Sequence, residues 1–246
     1  MRFFIGVFTV LFAFFSCNSN KKLKIDVSNI DVNYSIDRFD VDFYDATKEN
    51  LGAVKNKYPF FFPEEITDSI SLSKIANKDE QELFAETQKL YKNIDDQKEN
   101  LTSLFKHVKY YYEGFREPTV VTLLTNVDYE SNVVYADSLL FISLDVFLGV
   151  DNPVYADFPE YIKRSFTNEH IVVAVASELA RREIPRTNDR TFISRIIQQG
   201  KLLYMTDAFL PKVSDAHKIG YSEAQIEWAA FNDVDIWKYF VENKYL

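Results

Sequence analysis

The chain has 246 residues, 47% hydrophobic and 26% charged, a balance that fits a globular domain and argues against a wholly disordered one. Its six glycines, Gly6, Gly52, Gly114, Gly149, Gly200 and Gly220, stand at least twenty positions apart, which excludes GxGxxG dinucleotide loops, GxxxxGK[ST] phosphate loops and GxSxG nucleophile elbows. Three histidines, His107, His170 and His217, are separated by 63 and 47 residues, and Cys17 is the sole cysteine, so HExxH motifs, CxxC pairs, internal disulfides and Cys/His zinc fingers are excluded as well. Any metal site has to be assembled from distant residues, carboxylates above all. A net charge of -9 opposes phosphate backbones, so no nucleic-acid partner is expected. No cofactor or small-molecule substrate is inferred.

At the amino terminus, Met1-Arg2 precedes thirteen uncharged residues, Phe3 to Phe15. That run is too short for a bilayer core, which needs about 20 apolar residues. A charged start, a short apolar run and a small residue before a cut describe a secretory signal peptide over residues 1–16. The run ends Phe14-Phe15-Ser16-Cys17, which resembles a bacterial lipobox. Cleavage at Ser16–Cys17 followed by di- or triacylation of Cys17 is the expected processing; the alternative is a stray cysteine behind a plain signal. Each buried CH₂ of an attached lipid adds about 0.8 kcal/mol of membrane affinity, and several chains make the attachment durable. Residues 17–33, with the basic run Lys21, Lys22 and Lys24, read as the lipidated cysteine and a tether, and residues 34–246 as one domain.

Alternation of Phe39, Val41 and Phe43 with Asp40, Asp42 and Tyr44 predicts a strand over 37–45. Tyr58-Pro59-Phe60-Phe61-Phe62-Pro63 cannot be a helix interior because of its two prolines, and is expected as a loop. Helices are predicted over Asp79–Tyr91 and, more strongly, Asp95–Phe115, where Leu101, Leu104, Phe105, Val108 and Tyr112 recur every three or four residues. Thr119–Thr125, Val133–Tyr135 and Leu139–Leu144 read as three strands of an antiparallel meander, with turns at Asp128–Asn132 and Asp137-Ser138. Short helix Pro159–Phe166 follows. Helix Asn168–Glu183 is nearly all apolar in its middle turns and is expected to be the most buried element. Helices Thr191–Tyr204 and Ser222–Tyr245 complete the chain, the last opening on the capping box Ser222-Glu-Ala-Gln225. The fold class is therefore α+β: a small antiparallel sheet packed on a mostly helical half. A helical bundle with one peripheral hairpin is the alternative.

The lipobox at Cys17, the aromatic Tyr58 to Pro63, Tyr110-Tyr111-Tyr112, and the succession Leu144-Asp145-Val146-Phe147-Leu148-Gly149, Asn152-Pro153-Val154-Tyr155 and Pro159-Glu160-Tyr161-Ile162 together resemble the GldB gliding-motility lipoproteins of Bacteroidetes. The resemblance runs over essentially the whole chain, and it implies a non-enzymatic, lipid-anchored envelope protein that works with other proteins of the gliding and secretion machinery. Members of the family extend further, so a carboxy-terminal helical portion is expected to be missing. No acidic cluster of the kind that marks surface export follows Cys17, which favours a periplasm-facing anchor and leaves inner against outer membrane open. The layout also resembles zinc-protease-like domains, with a strand-rich lobe before a buried helix. Here, however, Glu169-His170 stands in reversed order, Ala174 occupies the position of a second imidazole, and Gln198-Gln199-Gly200 offers amides in place of a carboxylate ligand. No metal is therefore expected, and a zinc hydrolase with atypical ligands is the second functional reading.

Among single residues, His170 is expected to be a satisfied core or helix-end histidine, and His107 and His217 to face solvent. Asp145 reads as a cap or as an acid/base residue without a nearby second carboxylate. Glu178–Arg182 and Glu160–Arg164 have the spacing of helix-surface ion pairs. Asp68-Ser69-Ile70 and Asp137-Ser138-Leu139 match an O-glycosylation pattern at Ser69 and Ser138, with ordinary turn chemistry as the alternative. Tyr58, Phe60, Phe61 and Phe62, with Tyr110 and Tyr111, are the candidates for partner binding; packing of both segments onto their own domain is the alternative, and the favoured one for Phe60 to Phe62. Consecutive helical rings diverge by about 100°, so the tyrosines cannot all face one core.

Overall fold

The computed structural model describes residues 25–245. Strand β1 (Ile36–Arg38) runs directly into helix α1 (Phe39–Tyr44). Next come α2 (Leu51–Lys57), a 3-10 turn at Pro59–Phe61, α3 (Asp68–Ile75), α4 (Lys78–Tyr91) and α5 (Asp95–Tyr111). Strands β2 (Thr119–Leu123), β3 (Val133–Ala136) and β4 (Leu139–Ser143) follow, then 3-10 turns at Leu144–Val146 and Pro153–Tyr155. The remainder is helical: α6 (Glu160–Lys163), α7 (His170–Glu183), α8 (Phe192–Phe209), α9 (Asp215–Ile219), α10 (Glu223–Phe231) and α11 (Asp233–Glu242). The class is α+β, as expected.

The strand directions differ from the expected meander. The sheet order is β1-β2-β4-β3; β1 and β4 both run parallel to β2, and only the β3–β4 hairpin is antiparallel. That hairpin turns at Asp137-Ser138, where Asp137 takes φ 53°. Burial explains the order. The three middle residues of β2 are buried and β4 buries Leu140, Ile142 and Ser143, whereas β3 buries only Val133. The two apolar strands therefore share the centre and β3 takes an edge. Side chains alternate across the sheet: Val120, Leu140 and Ile142 join the main core, while Val121, Leu139 and Phe141 face a second core with Leu51, Val54 and Tyr58.

Residues 39–44 are a helix rather than a strand. Phe39 and Phe43, four apart, stack at 5.2 Å, and Asp40 and Tyr44 are buried together. Asp40 is fully buried and accepts from Arg38 (2.9 and 2.6 Å), Thr122 Oγ1 (2.5 Å) and Gln88 Nε2 (3.0 Å), which ties α1 to β2 and α4. Such tertiary bonds override a period-two pattern only a few residues long. At the other end, the helix expected over 222–245 is two helices broken at Asn232; the Ser222/Gln225 capping box is present.

Helix α7 lies at the centre, packed on α5, α8 and β3. Eight of its fourteen residues are buried, among them Val172, Val175 and Leu179. Within the segment read as tether, Val32 packs on the core and the Asp31 carbonyl accepts from Lys109 Nζ at 2.9 Å.

Candidate functional site

The aromatic segment Tyr58–Phe62 covers the second core. Prolines keep it out of an α-helix, and the 3-10 turn at Pro59–Phe61 lays its rings on the sheet. Phe61 packs 4.2 Å from Phe39 and 5.5 Å from Phe141, and Phe60 meets Phe141 edge-on at 5.6 Å. Tyr58 is buried, donates its hydroxyl to Asp42 at 2.7 Å and lies under Lys57 Nζ; burial pushes its phenol up to about 12. The segment packs onto its own domain, with Phe60 45% exposed and Phe61 and Phe62 partly buried. Tyr110 and Tyr111, at the end of α5, are 49% and 42% exposed and meet edge-to-face at 5.2 Å, while Tyr111 and Tyr112 both lie against Phe209, at 6.2 and 6.1 Å.

Asp145 is fully buried in the turn after β4. It accepts from the amides of Thr125 (3.2 and 3.1 Å) and Val127 (2.7 Å). The loop it grips is strained: Asn126 and Val127 take φ 57° and 62°, a left-handed region that a β-branched side chain rarely enters. Glu80 holds the same loop from outside through Asn126 Nδ2 at 3.2 Å, and also accepts from Lys74 and Tyr44. Burial raises the Asp145 carboxyl above its ordinary range, and the Glu80 charge adds to this. Glu80 is thus the neighbouring carboxylate that sequence reasoning missed, 65 positions away. The buried carboxylate thus fixes backbone amides and holds the loop.

His170 and His217 come together through α7 and α9, their rings stacked 3.9 Å apart. His170 Nε2 lies 3.0 Å from the His217 carbonyl and must donate, so Nδ1 accepts from Thr167 Oγ1 at 2.9 Å. Burial, then the neighbouring His217, lower the His170 pKa to about 4. His170 is the satisfied helix-end histidine expected. His217 does not face solvent as a loop residue; it sits partly buried on α9 against His170. His107 also departs from expectation: it is buried on the inner side of α5 beside Leu104 and Val108, and bonds the Ser103 carbonyl at 2.8 Å. Its lysine neighbours lie on the other side of the same turn, because adjacent helical residues point about 100° apart.

The residues do not fit a catalytic zinc. Both His170 nitrogens are engaged, and among the described residues no group of three or more His, Cys, Asp or Glu could hold a metal ion. The expected ion pairs are exchanged for neighbours. Glu178 binds Arg181 at 2.8 Å, leaving Arg182 to donate to the Tyr135 carbonyl at 2.9 Å. Glu160 binds Lys163, and Arg164 reaches Gln225. Ser69, in the first turn of α3, and Ser138, in the β3–β4 turn, are both exposed. Cys17 lies outside the described residues. No local signal announces the His170–His217 contact, which joins residues 47 apart.

A family described as gliding motility protein GldB matches this chain over residues 20–246. No curated protein and no solved structure matches it.

Proposed function

The chain belongs to the gliding motility protein GldB family, and on that premise we propose that it is a lipid-anchored adaptor of the cell envelope that helps assemble the gliding and secretion machinery without catalysing a reaction. The family match over residues 20–246 carries this reading. The sequence before the match supports the anchor: a short apolar run ending in Ser16-Cys17, with Cys17 acylated and the domain facing the periplasm. The non-catalytic part is supported by the polar groups that might do chemistry. Asp145 and His170 are buried and bonded within the fold, which suits scaffolding. Exposed Phe60 on one face and Tyr110 and Tyr111 on another supply aromatic anchors of the type that dominates protein interfaces. Ser69 and Ser138 are accessible for glycosylation.

The test is made in a gliding bacterium that depends on this chain. A photo-crosslinking residue at position 60 or 111 should capture an envelope protein, and Phe60→Ser with Tyr111→Ser should abolish gliding while abundance and melting temperature stay unchanged. Loss of abundance in step with motility would show that these rings serve the fold. Cys17→Ser should abolish incorporation of an alkyne fatty acid; equal label on wild type and variant refutes the anchor. Stoichiometric zinc in the purified protein, lost on Glu178→Ala, would overturn the non-catalytic reading.

A further inference from the structure

Arginine is unevenly placed in this chain. Five of its nine arginines, Arg181, Arg182, Arg186, Arg190 and Arg195, fall within fifteen residues. The fold brings all five to one cleft of about 1040 Å³, formed by the end of α7, the connection to α8 and the first turns of α8. Glu178 and Asp189 are the only carboxylates in its lining, so the cleft is locally +3 in a chain of net charge -9.

The partners of these guanidinium groups divide them into two sets. Arg181 is neutralised by Glu178, and Arg182 is held by the Tyr135 carbonyl and stacks over the Tyr135 ring at 4.2 Å. Both stand in the last turn of α7, where the helix dipole favours cations. Neither explanation reaches Arg186, Arg190 and Arg195, whose side chains have no hydrogen-bond or ion-pair partner among the described residues. Arg195 sits four residues after the Thr191 cap of α8, at the end of the helix where the dipole disfavours a cation. The first turn of α8 contains no acidic residue to offset it. Gln198 and Gln199, one turn further on, add amide donors to the same wall. Three unpaired guanidiniums, the positive end of an 18-residue helix and two amides thus line one concavity, whose local excess of positive charge favours an anion.

We propose that this cleft binds a multiply charged, phosphate-bearing ligand. A single carboxylate satisfies one guanidinium fork, whereas a phosphate monoester carries about −1.5 to −2 charges and three acceptor oxygens, which matches the unpaired donors and the local excess of positive charge. The phosphate belongs either to a membrane lipid headgroup or to a soluble ester. The assignment rests on the arginine cleft alone and stands independently of the adaptor reading.

The test uses the full chain carrying Cys17→Ser, so that no acyl group contributes to membrane binding. Inorganic pyrophosphate is titrated by calorimetry, and co-sedimentation is measured with neutral phosphatidylcholine vesicles and with vesicles containing phosphatidic acid, whose headgroup is a phosphate monoester. Wild-type cleft residues should bind pyrophosphate, and R186E/R190E/R195E should weaken binding by about tenfold or more. The control K48E/K92E/K212E changes the net charge equally at exposed sites elsewhere and should leave binding within about twofold of the parent. Arginine-dependent binding to pyrophosphate and anionic vesicles supports a lipid headgroup; binding to pyrophosphate alone supports a soluble ester. No binding to either probe, or equal losses in the arginine and lysine variants, overturns the proposal. Melting temperatures of both variants verify that the fold is retained.

Discussion

Helix α7 and the pair α10–α11 are all rich in apolar residues, and they end in opposite environments. In α7, eight of fourteen residues are buried, and its neighbours α5, α8 and β3 enclose it on several sides. In α10 and α11 no residue is buried, and Trp228, Phe231 and Val234 are 62%, 89% and 73% exposed. The terminal pair is held at its edges, by Arg164 bonding Gln225 and by Phe240 meeting Phe192 at 5.1 Å. Apolar content thus specifies a helix that can be buried, and the presence of a second surface decides whether it is. Stability should therefore concentrate around α7, with the terminal helices contributing little.

The comparison is sharpened first at its buried end. Leu179→Ala should cost about 2–5 kcal/mol in urea unfolding, because the enclosed site cannot collapse around the lost methyl groups. A loss below about 1 kcal/mol would mean that α7 is not the stabilising centre.

Acid should find the same region. The His170 pKa is lowered to about 4 from an ordinary 6.5, so the native state binds fewer protons than the unfolded chain. Its contribution is present above pH 6.5 and is lost as pH falls toward 4, by up to about 3 kcal/mol. His170→Gln, which keeps a donor and does not titrate, should flatten the fall in unfolding midpoint over that window. An unchanged slope would place the acid sensitivity elsewhere.

A smaller loss is expected at the strained loop beside β4. Asp145→Asn replaces an acceptor carboxylate with an amide that cannot accept on both sides, and should cost about 1–3 kcal/mol. Hydrogen exchange at the Thr125 and Val127 amides should rise with it; unchanged protection there would show that Asp145 does not hold the loop.

The smallest effect belongs to the terminal pair. Trp228→Ser and Phe231→Ser should each shift stability by no more than about 0.5 kcal/mol in thermal melts of the isolated protein. A loss of 2 kcal/mol or more would show that these rings are covered in solution, and the contrast with α7 would break.

Much of the architecture could be read before any coordinates. The three- and four-residue spacing of Leu101, Leu104, Phe105 and Val108 located α5, and the unbroken apolar turns of 171–179 marked α7 as buried. The Ser222/Gln225 cap and the Asp137-Ser138 turn were equally legible, because a cap or a two-residue turn is written in adjacent residues. Tyr58–Phe62 was legible as non-helical from its prolines, and its cover, Phe39 and Phe141, was not.

What the sequence by itself determined was local: where helices start and stop, which stretches must avoid water, and which motifs the spacing of glycine, histidine and cysteine forbids. The tertiary structure alone decided that β2 lies beside β4 rather than β3, that Asp40 turns 39–44 into a helix, and that His107 and His217 point inward. It also decided the arginine cleft. The density of arginine over 181–195 could be counted, yet whether those side chains spread around a helix or face one another depends on how the chain turns between α7 and α8. Each of these outcomes rests on contacts between residues that are remote in sequence or on opposite sides of a turn, where periodicity carries no information and competing burial and hydrogen bonding select the arrangement.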